Sequence, residues 1–304
     1  MSMSTVTENK VSWINIEHPS KEDIDHLRRY YPFHPLDLED CLSSIERPKV
    51  DEYDDYLFLV MHFPLYDPDE QISRISEVDL FIGSGYLITL HDGELRPLTR
   101  LFGECQADER ARARHMSRGA GQLLYGILDR TVDYVMHILT QVGSRIDMIE
   151  GQVFTQDMRH IVEEISVIRR DVIALRRIIK PQIGVVSNLE KKDRPFIREG
   201  MVVYFGDIAD GYSRAWDELE DHREVIESLS ATSDSITSYR INETMRTLTV
   251  ISLVLLPLSL LASIYGMNVA LPFDENPYAF YGLAALMVGM IVGLVLFFRR
   301  RKWM

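Results

Sequence analysis

The chain has 304 residues, 46% hydrophobic and 26% charged, with a net charge of −13. That balance is ordinary for globular protein and excludes wholesale disorder or low complexity. The acidity argues against a sequence-independent nucleic-acid binder, which needs a basic face. Cys41 and Cys105 are far apart and outside any Cys-x-x-Cys spacing, so neither a disulfide framework nor a cysteine zinc site is expected. No Gly-x-x-x-x-Gly-Lys-Ser/Thr occurs, and nothing points to nucleotide hydrolysis.

In chain order, residues 1–10 are polar and form no apolar signal region. The large N-terminal part is therefore expected to stay on the side where it is made. Residues 11–16 read as a strand, 22–31 as a helix, and 34–43 as a further helical piece after Pro32 and Pro35. Residues 56–64 are rich in aromatic and β-branched side chains and predict a strand ended by Pro64. Residues 78–82 and 86–90 flank Gly83-Ser84-Gly85, a hairpin signal. Strands early and helices late suit an α/β unit with helices laid on one sheet.

From about residue 120 the pattern is helical almost without a break. Residues 122–156 predict one long amphipathic helix, and 158–179 a second that Pro181 stops. A third begins near Ile197. Its apolar seam steps by three and four through Phe205, Ile208, Tyr212, Ala215, Leu219, His222, Ile226, Leu229, Ser233 and Ile236, a heptad pattern that favours helix association. His222 within it reads as a packed or bridging core group. The scattered histidines form no His-x-x-x-His pair, so zinc chemistry is not indicated.

Residues 247–273 and 276–298 hold no charged side chain. Each run exceeds the roughly 20 residues that span a bilayer. Residues 274–304 carry +2, which leaves −15 on residues 1–246. If the third helix continues to Met267, its ~70 residues measure on the order of 100 Å, a stalk leading into the first span. Arg299-Arg300-Arg301-Lys302 follows the second span and is expected to remain cytoplasmic, which places both termini there. Trp303 reads as an interfacial anchor. Three segments result: an α/β domain (1–118), a helical stalk (119–246) and a two-span membrane domain with a basic tail (247–304).

Two spans cannot enclose a water-filled path, so a pore requires several chains around an axis. On the first span Asn242, Met245, Thr249, Ser252, Leu256, Ser259 and Ser263 recur at steps of three and four. They make an uncharged stripe of small, polar and apolar groups. Ser259 and Ser263 read equally well as packing residues between helices. The span ends in Tyr265-Gly266-Met267-Asn268. This is either a helix cap or a mouth where Asn268 offers a neutral oxygen to a hard cation that keeps its water, as Mg2+ does.

Tyr265-Gly266-Met267-Asn268 after the first of two C-terminal spans, with the tail Arg-Arg-Arg-Lys-Trp-Met, resembles the CorA magnesium transporters. Further matching blocks are Trp13-Ile14-Asn15-Ile16, His34-Pro35-Leu36 with Glu39-Asp40, Arg47-Pro48-Lys49-Val50, and Asn242-Glu243 with Met245. The likeness covers nearly the whole chain. It implies a funnel-shaped homopentamer in a bacterial or archaeal inner membrane, with first spans lining the pore. Gly266, Met267 and Asn268 would form the selectivity ring. Asn242, Met245, Leu248, Leu256, Ser259 and Ser263 would line the pore, with Met245, Leu248 and Leu256 as its apolar constriction. Asp274 and Glu275 would gather cations outside, although their spacing departs from the family's Met-Pro-Glu-Leu ending. Ala231 stands where a relative has an acidic ring, with Asp234 one turn on. Gating by cytoplasmic Mg2+ between subunits would fall to Asp40 and Asp207, with Glu39 and Asp129 at a second, nearby site.

The expected activity is therefore Mg2+ entry, with Co2+ or Ni2+ open, down the electrochemical gradient and inhibited by intracellular Mg2+. The ion is both cargo and regulator, and no enzymatic reaction is expected. The rivals are a zinc transporter of the same superfamily, which often carries Ile at the position of Met267, and a non-conducting, membrane-tethered cation sensor.

Overall fold

The computed structural model describes residues 3–43, 45–154, 158–191, 194, 196–197, 200–267, 278–301 and 303. The chain divides into two compact units, 1–230 and 231–304. The first is built on six strands: β1 (Met3–Glu8), β2 (Val11–Glu17), β3 (Lys49–Glu52), β4 (Tyr56–Asp67), β5 (Ile72–Gly83) and β6 (Tyr86–His91). Their spatial order is β1-β2-β6-β5-β4-β3. β2 runs parallel to β6, and every other pairing is antiparallel.

Side-chain alternation divides the sheet's burden between two faces. Ile14, Ile16, Phe58, Val60, Phe81, Ile88 and Leu90 form one face, covered by Ile24 and Leu27 of α1 (Lys21–Tyr30) and Leu38 of α2 (Pro35–Asp40). Ser20 caps α1 in a reciprocal capping box with Asp23. Trp13 points to the other face and meets Phe102 edge-on at 5.0 Å. Phe102 lies on α3 (Arg96–Ala107), which α4 (Glu109–Met116) follows. A sheet covered on both faces explains why residues 56–63 are buried without alternation.

Three differences from the sequence expectation have physical causes. β4 does not end at Pro64; it continues to Asp67, opposite Ile72. β3 pairs only as far as Val60, so Pro64 lies where no third strand needs its missing N–H. β1 escapes the periodicity reading because it is polar and mostly exposed. Its turn into β2 sets Asn9 at φ 52, and Lys10 O packs on Gly85, where a Cβ would come within 2.7 Å.

The third difference concerns the long helices. α5 (Ala120–Gln152) and α6 (Met158–Glu190) have 33 residues each. α6 runs through Pro181 rather than stopping there. An interior proline costs ~3 kcal/mol, but Val185, Val186 and Leu189 beyond it are buried. Each contributes ~1.5–3 kcal/mol, which outweighs the break.

α7 (Met201–Tyr265) is one helix of 65 residues that contributes to both units. Its first part carries the seam foreseen above: Phe205, Ile208, Tyr212, Ala215, Leu219, Ile226 and Leu229 are all buried, and only His222 and Ile236 are partly covered. Gly211 lets α7 approach α5 so closely that a Cβ would sit 2.7 Å from Val132. Arg176 of α6 joins Glu220 of α7 at 2.6 Å, and Arg176 and Lys180 flank the Trp216 ring. Both cysteines are free, buried thiols.

In the second unit, the end of α7 and α8 (Ala279–Arg300) are each long and apolar enough to cross a membrane. Trp303 stacks on Phe298 at 5.8 Å.

Candidate functional site: an uncharged helix stripe and two carboxylate groups

At 100° per residue, Asn242, Met245, Leu248, Thr249, Ser252, Leu256, Ser259 and Ser263 fall within about a third of the circumference of α7. This stripe is exposed throughout. Val250 on the opposite side is buried, and Val254, Pro257 and Leu261 beside it are partly covered. The stripe thus lies within the wide arc of the helix that its own chain leaves open, an arc that also includes Ile251, Leu253, Leu255 and Leu260. The hydroxyls of Thr249 and Ser252 donate to the carbonyls of Met245 and Leu248 at 2.8 and 2.9 Å. With their protons committed to the backbone, both oxygens keep acceptor capacity.

The helix closes at Gly266, whose N–H donates to Ala262 O at 2.9 Å. A Cβ there would press on Ala262 O at 3.1 Å, so glycine suits the tight end of the helix. Met267 follows, largely exposed. Asn268, Asp274 and Glu275 lie outside the described residues. Ala231 and Asp234 are both exposed on α7.

The four acids expected to sense cations form two groups. Glu39 and Asp40 end α2; Glu39 is exposed and Asp40 partly covered. Asp129 of α5 and Asp207 of α7 are neighbours: the Tyr125 hydroxyl donates to Asp207 at 3.5 Å. Burial first, then the charges of Asp133 and Asp207, raise the Asp129 carboxyl above the ordinary range. Tyr125, Asp129 and Asp133 recur every fourth residue on α5, a signal that could have located this face from the sequence. No group of three or more metal-capable side chains forms among the described residues of one chain.

Within the chain Asp40 is paired with a lysine. Its Oδ2 accepts from Lys49 Nζ at 2.7 Å, and the same ammonium lies 2.7 Å from Asp51 Oδ2. Burial opposes the lysine's charge, but the hydrogen bonds to Asp40 and Asp51 outweigh it and raise its pKa. Lys49 belongs to the Arg47-Pro48-Lys49-Val50 block, and its partner Asp40 stands nine residues away across a helix–strand connection. Strand alternation places Lys49 and Asp51 on one face of β3, but only the packed fold brings α2 to them.

Deeper in the sheet the Asp79 carboxyl is buried beside Cys41, and burial, with the charge of Glu77, pushes it up to about 8. Elsewhere, Asn15, Thr89 and His91 form a buried hydrogen-bonded row with Trp13. The His222 ring is held below the ordinary histidine range by burial, and its Nε2 lies 4.0 Å from Glu218 Oε1, too far for a hydrogen bond. It packs against Gly143, where a Cβ would meet Nε2 at 3.0 Å, in accord with a core role.

An α/β unit and a 65-residue helix whose apolar end, with α8, makes two helices long and apolar enough to cross a membrane define the architecture of a two-span membrane protein. The CorA-like Mg2+ transporter protein family matches residues 8–300, and the chain belongs to that family. The cobalt/magnesium transport protein CorA of Thermotoga maritima is 28% identical over 301 residues, spanning 96% of this chain and 83% of that protein. The complete structure of the CorA magnesium transporter from Methanocaldococcus jannaschii superposes with a TM-score of 0.85 at 25% identity, covering 97% of this chain and 92% of that one. A zinc transport protein, ZntB of Yersinia pseudotuberculosis, is 18% identical over 294 residues, 96% of this chain and 88% of that protein. The fold is that of a full-length CorA, and the family is one of membrane transporters of divalent metal ions.

Proposed function

We propose that the chain assembles as a homopentamer whose α7 helices line a pore for Mg2+, entering the cytoplasm down its electrochemical gradient. The observation that carries this reading is the exposed, uncharged stripe on α7, which the sequence follows with Gly266-Met267-Asn268. Acceptor oxygens without fixed charge suit a cation that keeps its hydration shell: they accept hydrogen bonds from its water and do not trap it. Met245, Leu248 and Leu256, more than half exposed in the single chain, would meet their counterparts around the axis and form the apolar constriction. Inward movement of a doubly charged ion releases ~4.6 kcal/mol per 100 mV, so the membrane potential alone can drive it. The basic residues after α8 support cytoplasmic termini. In the division into an α/β domain (1–118), a helical stalk (119–246) and a membrane domain (247–304), the first two then share the sensing acids, the stalk transmits their state and the third forms the pore.

Regulation follows from the carboxylates. Asp129 and Asp207 raise each other's energy when both are ionised, and hard oxygen donors of this kind fit Mg2+. Asp40 on α2 of one chain and Asp207 on α7 of its neighbour would complete a site that neither chain holds alone, with Glu39 and Asp129 close by. Repulsion between these acids loosens the assembly when the cation is scarce, and a shared cation closes it. The family also includes zinc transporters; Met267 favours the magnesium branch.

Selectivity is tested at Asn268. In proteoliposomes, Asn268→Ala is expected to cut Mg2+ flux at least tenfold at matched protein, with the pentamer intact by size-exclusion chromatography. Undiminished flux would remove the selectivity role of the Gly266-Met267-Asn268 end.

A further inference from the structure

Lys49 is held by three groups at once. Its ammonium lies 2.7 Å from Asp40 Oδ2, 2.7 Å from Asp51 Oδ2, and 5.3 Å from the centre of the Phe58 ring. The fold builds this arrangement: β3 pairs Lys49 with Val60 and Asp51 with Phe58, and α2 ends with Asp40 over the same strands. The side chains of Lys49 and Asp40 are 35% and 25% exposed, so solvent, and anything dissolved in it, reaches the pair. A lysine so placed occupies an oxygen that a bound cation needs.

We propose that Lys49 is a tethered competitor for the regulatory cation: its ammonium holds Asp40 until the cation takes that oxygen, and it thereby sets the Mg2+ concentration at which the closed state forms. The inference rests on Asp40 being a regulatory ligand. Asp51 makes the exchange inexpensive. When Lys49 leaves Asp40 it keeps the second carboxylate and the face of Phe58, so neither ammonium nor Asp51 is stranded. Should the ammonium stay close instead, its charge still opposes a second cation, and the effect on affinity keeps its sign. A partly exposed pair of this kind is worth ~1 kcal/mol, so releasing Asp40 from it should tighten Mg2+ binding by about three- to tenfold.

The test uses the full-length protein in detergent, titrated with Mg2+. The readout is the concentration that half-protects the chain from limited proteolysis. Lys49→Met and Lys49→Gln are expected to lower that midpoint by about three- to tenfold. Lys49→Arg keeps the cation and should stay within about twofold of the unsubstituted protein. Gln retains length and a hydrogen-bond donor, so it carries the test if Met disturbs folding. Asp40→Asn is the control on the underlying reading and should raise the midpoint. If Asp40→Asn raises it while Lys49→Gln leaves it unchanged or raises it, competition by Lys49 is overturned and the regulatory acid stands. If Asp40→Asn changes nothing, the regulatory reading of Asp40 fails, and the role of Lys49 fails with it.

Discussion

Asp79 is a buried acid among other acids, with Glu77 the nearest in charge and one oxygen left without a hydrogen-bond partner among the described residues. Its pKa of about 8 in the folded chain compares with about 4 when unfolded. Between those values the folded chain holds a proton that the unfolded chain has released, so raising the pH destabilises the fold. The slope is at most ~1.4 kcal/mol per pH unit. Thermal unfolding of Asp79→Asn between pH 5 and 8 should show a shallower decline of Tm than the unsubstituted chain, and a higher Tm at pH 8. Parallel declines would mean that Asp79 does not carry this dependence. Single acids of this kind were only half legible in the sequence. Asp40, Asp207, Glu39 and Asp129 stood out through a family resemblance, because one carboxylate on a helix looks like any solvated charge. The tie between Asp40 and Lys49 depends on the docking of α2 against β3, which no local pattern encodes.

Among the elements, periodicity succeeded where one face alone is buried. The seam of α7 from Phe205 to Leu229 was readable because its spacing is the spacing of its contacts. It failed where tertiary packing overrides a local preference, as at Pro181, or where a strand has little to bury, as in β1. Both sides of this are measurable. Leu219 is fully buried in the seam, and Leu219→Ala should cost ~2–5 kcal/mol. Pro181→Ala restores an N–H to a helix already formed and should stabilise the chain, with a gain of at most ~3 kcal/mol. Apparent Tm in detergent reads both changes. A neutral Leu219→Ala would remove the seam from the account, and a destabilising Pro181→Ala would show that the proline ring itself is part of the packing.

At the scale of the whole molecule, the acidic N-terminal unit, the basic tail and the paired apolar helices were legible from charge and hydropathy alone. The proposed pore was legible only as an uncharged stripe on the first span and through the family resemblance, because that stripe takes on meaning only when several copies face one another. The conduction account makes the membrane potential sufficient to move Mg2+, with no coupled proton. Its most direct test is ion uptake into proteoliposomes holding the full-length protein. Mg2+ and Zn2+ are offered separately, under an inside-negative potential, with and without a proton gradient. The account predicts Mg2+ entry that grows with the potential and is indifferent to the proton gradient. Zn2+ entry that requires the proton gradient, with no Mg2+ entry under any potential, would contradict it.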